Sequence, residues 1–60
     1  MDMNQVHSYA RKLVETHGAK AEARAAAELK AAESAGDQDR IENWRRIRSA
    51  VRERKMAHVS

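Results

Sequence analysis

The chain has 60 residues, a formal net charge of +3, and no cysteine, proline or phenylalanine. A disulfide scaffold and a thiolate metal site are thereby excluded, and no apolar run approaches the ~18 residues of a membrane-spanning helix. The opening Met1-Asp2-Met3-Asn4 lacks a basic head followed by an apolar stretch, so no secretory signal is expected and a cytoplasmic location is.

The apolar fraction of 42% overstates the core, because alanine supplies much of it. The larger apolar side chains are Val6, Tyr9, Leu13, Val14, Leu29, Ile41, Trp44, Ile47, Val51, Met56 and Val59, with Met1 and Met3 at the tip. A chain this short buries only about 60% of its unfolded surface. A monomer is expected to be marginal, completed by self-association or by a partner.

Helix formers dominate from Gln5 to Ala35, and Gly18 is the only strong breaker there. Val6, Tyr9 or Ala10, Leu13 and His17 recur at spacings of three and four, and Ala21, Ala25, Leu29 and Ala32 continue the series. That is one face of a helix over about 5–35, not a strand alternation. Asn4 or Asp2 is positioned to cap its start. Residues 36–39 form the loop. Gly36 suits the left-handed position that ends a helix, and Asp39 with Glu42 fits a capping box, Asp37 being the competing cap. A second helix over about 40–56 carries the stripe Ile41, Trp44, Ile47 and Val51, with Ala50 beside it.

These elements make one all-α domain over 1–60, an antiparallel helical hairpin with a long first helix. The two arms differ in length, about 46 Å against about 27 Å. Folded back from Gly36, the second arm reaches only to about Gly18, leaving Val6, Tyr9, Leu13 and Val14 uncovered. A continuous first helix, packed on a second subunit or a partner, is the preferred resolution. A bend at Gly18 giving a compact three-helix unit is the alternative. Leu29 is expected near Ile41 and Trp44, and Trp44 is the expected core anchor. Val6, Tyr9, Leu13, Leu29, Ile41, Trp44, Ile47 and Val51 are the core or interface set.

Charge is uneven. Residues 1–36 balance five acids (Asp2, Glu15, Glu22, Glu28, Glu33) against five bases (Arg11, Lys12, Lys20, Arg24, Lys30), so the excess belongs to residues 37–60. There Arg45, Arg48 and Arg52, spaced three and four apart, line one helix face. A solvated face is the ordinary reading of such a cluster, and Glu42 is placed to pair with Arg46. The functional reading is contact with an acidic protein partner. Nucleic-acid binding is the alternative, since basic helices also lie along phosphates, but no helix-turn-helix, zinc finger or basic zipper is evident. A membrane-surface helix is disfavoured by the narrow apolar face.

His7, His17 and His58 show no pair at metal-ligand spacing, and no metal or cofactor is expected. Ser8, Thr16, Ser34 and Ser49 lack a base and an orienting acid in sight. Two packed helices also offer little concave space for a small-molecule substrate. A non-catalytic binding, accessory or regulatory protein is the expectation, either a homodimer forming a four-helix bundle or a small subunit docked on a larger protein.

The segment Ala10-Arg11-Lys12-Leu13-Val14-Glu15-Thr16-His17-Gly18, the alanine-rich middle, Gly36-Asp37 and Trp44-Arg45-Arg46-Ile47-Arg48-Ser49-Ala50-Val51 together resemble a group of very small uncharacterised helical proteins, mostly alphaproteobacterial. The resemblance spans nearly the whole chain. That group carries no established activity, so the resemblance implies no catalytic residues. It implies a complete small protein in which His17-Gly18 recurs and marks a close helix crossing.

Overall fold

The computed structural model describes residues 2–57, with the side chains of residues 55–57 left aside. The expected apolar side chains Met1, Met56 and Val59 and the imidazole of His58 therefore lie outside the described residues. The chain is all-α. Helix α1 spans Met3–His17, a 3-10 turn spans Gly18–Lys20, α2 spans Ala21–Ala35 and α3 spans Gln38–Ala57. Residues 3–35 make the long first arm of a hairpin and α3 makes the second, as the apolar spacings require.

Asp2 caps α1. Its Oδ1 accepts the Gln5 N–H at 2.9 Å, satisfying one of the backbone donors that a helix start leaves open. At the hairpin turn, Gly36 is left-handed with φ +69° and ψ +25°. The Gly36 N–H donates to Glu33 O and the Asp37 N–H to Ala32 O, both at 3.1 Å. This is the paired-bond ending that a glycine after the last helical residue permits. Asp37, not Asp39, caps α3: its Oδ1 accepts the Arg40 N–H at 3.2 Å. The loop is thus Gly36-Asp37 alone, shorter than the expected 36–39, and Asp39 lies inside the first turn of α3.

The first arm is not continuous. Gly18 takes φ +56° and ψ −124°, a combination open to glycine and strained for any residue with a Cβ. A straight helix from Met3 to Ala35 would run about 50 Å, longer than the greatest extent of the molecule, 38 Å. The preference for a continuous helix is therefore corrected to the bend. The physical reason is burial. A straight arm leaves the apolar face of α1 in water, whereas the break lays it on α3.

The core records that choice. Val6, Ala10 and Leu13 of α1 share one buried cluster with Ala21 and Ala25 of α2 and Ile47, Ala50 and Val51 of α3. Val6 is fully buried, not uncovered as the unequal arms had suggested. Leu29, Ala32 and Ile41 form a second cluster at the hairpin end, and the half-buried Trp44 packs against both. Helix α3 is central: it packs extensively on α1 and on α2, which touch each other less. The small side chains Ala21, Ala25 and Ala32 keep the α2 surface low enough for that approach. The largest fully buried side chain is Ile47, and truncating such a residue costs about 2–5 kcal/mol.

Candidate functional site

Six of the eight expected core or interface residues are buried: Val6, Leu13, Leu29, Ile41, Ile47 and Val51. Trp44 is half-buried and Tyr9 is 42% exposed. The two rings meet edge to face, with centroids 5.4 Å apart and planes at 90°, a geometry that adds about 0.5–1.5 kcal/mol beyond area burial. Trp44 is therefore a bridge between helices more than a sealed anchor. Tyr9 also borders two shallow depressions on α1. One includes Asp2, Gln5, Ser8 and Lys12, and the other Lys12, Leu13, Thr16 and His17.

The arginines of α3 divide by partner. Arg46 Nη2 donates to Glu42 Oε1 at 2.8 Å, one turn away on the same helix, as the sequence spacing predicts. Arg40 Nη2 comes within 4.0 Å of Glu28 on α2. Arg52 Nε and Nη2 both lie 3.0 Å from Glu22 Oε2 on α2. Arg45 and Arg48, in contrast, make no ion pair with a carboxylate among the described residues. Arg45 is exposed and Arg48 is half-buried.

Arg45, Arg48 and Arg52 do converge. With Leu29 and Ser49 they line one depression between α2 and α3. The sequence places these arginines on one face, and the structure adds Leu29 as an apolar wall and Ser49 as a hydroxyl at the rim. Arg48 has a further peculiarity: its Nε is buried without an acceptor. A buried donor left unsatisfied costs about 1–3 kcal/mol, more on a charged group. The cause is angular position. At 100° per residue Arg48 falls between Ile41 and Trp44, at the edge of the core stripe, so its stem is drawn inward while its head has no carboxylate opposite.

No family model, curated protein or solved structure matches the chain. The site must be read from its own chemistry. Two guanidinium groups without carboxylates and a hydroxyl are set against an apolar wall, an arrangement complementary in charge to a small anion. They present no nucleophile with a base and no general acid beside a general base. Among the described residues no three His, Asp or Glu side chains are grouped to hold a metal ion, and no helix is long and apolar enough to cross a membrane.

Proposed function

We propose that this chain is a small non-catalytic protein-binding protein, an accessory or regulatory subunit in the cytoplasm. It engages an acidic surface of a larger protein through the α3 face that carries Arg45, Arg48 and Arg52. The observation that carries this reading is the unequal pairing of the arginines. Arg40, Arg46 and Arg52 face carboxylates of their own chain, while Arg45 and Arg48 sit side by side in a depression with none. Arginine is prominent among residues that dominate protein interfaces, and it recognises carboxylates through a fixed fork of donors.

A second copy of the chain is the weaker occupant, because α3 of the same chain already covers Val6, Ala10 and Leu13 on the face of residues 5–17. Among the described residues, Met3 and Tyr9 are the large hydrophobic side chains left exposed. Nucleic-acid binding is the competing reading of the basic face. It predicts affinity that falls steeply with salt for any polyanionic strand.

The test is retention of a native partner. Immobilised protein should retain a defined acidic protein from lysate of its own source, and Arg45→Glu with Arg48→Glu should release it while the helical signal is unchanged. Retention of nucleic acid alone would replace this reading with the competing one.

A further inference from the structure

The contact between Glu22 and Arg52 fixes the register of α2 against α3. In an antiparallel pair, one turn forward on α2 corresponds to one turn backward on α3. The position one turn after Glu22 is Ala26, and the position one turn before Arg52 is Arg48. That register puts Ala26, which has no acid to offer, at the level of Arg48, as Glu22 is at the level of Arg52. One step further, Leu29 comes alongside Arg45, and both line the same depression. Arg48 Nε is the buried donor without an acceptor. The groove thus has a row of guanidinium groups on α3 and no carboxylate among its lining residues.

We propose that this notch receives the carboxylate side chain, Asp or Glu, of an acidic segment of a partner protein, seated against Arg48 and Arg45 where the α2 register offers Ala26 and Leu29. The inference rests on the protein-binding reading above and adds the chemical group that is recognised and the place where it sits. Glu22 shows how such a group is held by a neighbouring arginine, with one oxygen contacted by both Nε and Nη2 of Arg52. A carboxylate held in the same way would satisfy the orphaned Arg48 Nε–H once that side chain turns outward from its half-buried position. Ser49 offers a hydroxyl at the rim, and Leu29 offers an apolar wall for the methylene groups behind the carboxylate. The lining favours a carboxylate side chain over a nucleic-acid strand. Its residues include no aromatic ring on which a base could stack.

The test is a titration of the intact labelled protein with a short oligoglutamate peptide at low salt, following the arginine Nε–H resonances by nuclear magnetic resonance. The Arg48 resonance should move most and saturate. Ala26→Glu, which supplies the missing acid within the chain, should weaken peptide binding roughly tenfold or more, and Arg48→Gln should do the same. Ala26→Glu adds a good helix former to α2, and the Arg48→Gln arm guards against a folding defect in the first variant. Parallel drift of all the arginine resonances, or undiminished binding by both variants, would overturn the proposal. So would a single-stranded oligonucleotide of equal charge that binds more tightly through Arg48. If the peptide arm fails while Arg45→Glu with Arg48→Glu still releases the native partner, the notch is wrong and the protein-binding reading stands. If both fail, the reading falls with it.

Discussion

Gly18 carries more structural information than any other single residue. In a continuous helix, alanine there would stabilise the protein by about 1 kcal/mol, because glycine is the poorer helix former. In the bent chain the sign reverses. The φ of +56° and ψ of −124° strain any residue with a Cβ, and nothing crowds the position, so the whole effect is backbone. Gly18→Ala should destabilise by about 1–3 kcal/mol, read as a lower urea midpoint with an unchanged slope. A raised midpoint would mean the helix runs straight through. The rings of Tyr9 and Trp44 provide a second check on the same geometry, since they meet only if α1 folds back. A double-mutant cycle on the pair, each changed to leucine, should show a coupling of about 0.5–1.5 kcal/mol. Additivity would place the rings apart.

At the scale of the helices, α3 is built with two working edges. Ile47, Ala50 and Val51 share the cluster that seats α1, while Ile41 packs with Leu29 and Ala32 of α2. Much of this was legible in the sequence. Ile41, Trp44, Ile47 and Val51 repeat at helical spacing, Leu29 falls beside Ile41 and Trp44 as expected, and Gly36 ends α2. The bend was legible only as an alternative. A glycine in an alanine-rich helix is inexpensive locally, and the deciding term is the burial of Val6, Ala10 and Leu13 on a helix thirty or more residues away in sequence. The start of α3 was misplaced by about two residues, because Asp37 and Asp39 are both good caps and the sharp turn at Gly36 selects the nearer. Of the candidate site, Arg45, Arg48 and Arg52 were legible as one face. The contributions of Leu29 and Ser49, and the missing acid at Ala26, depend on the register of α2 against α3 and become visible only once Glu22 is seen to meet Arg52. Ile47→Ala tests the centrality of α3. It should cost about 2–5 kcal/mol, comparable to all the stability that a core of this size supplies, and the helical signal should fall by a large fraction at 25 °C.

For the molecule as a whole, the fold offers one chain closing its own small core. Helix α3 covers the face of α1 that otherwise would need another subunit. Dilution should therefore leave the helical signal intact down to concentrations at which the solution mass is that of one 6.8 kDa chain, with Met3 and Tyr9 exposed at its surface. Helix loss in step with dissociation would mean that a second copy completes the core. The ion pairs of Arg40, Arg46 and Arg52 with Glu28, Glu42 and Glu22 leave Arg45 and Arg48 among the α3 arginines without a carboxylate partner among the described residues, and on the proposed reading the positive charge of this edge draws an acidic partner. The measurement that tests this most directly compares what the wild-type protein and the Arg45→Glu, Arg48→Glu double variant retain from lysate of the source, at matched helical signal. A defined acidic protein should be bound by the wild type and lost from the variant. The same bound proteins on both, or nucleic acid alone on the wild type, would contradict it.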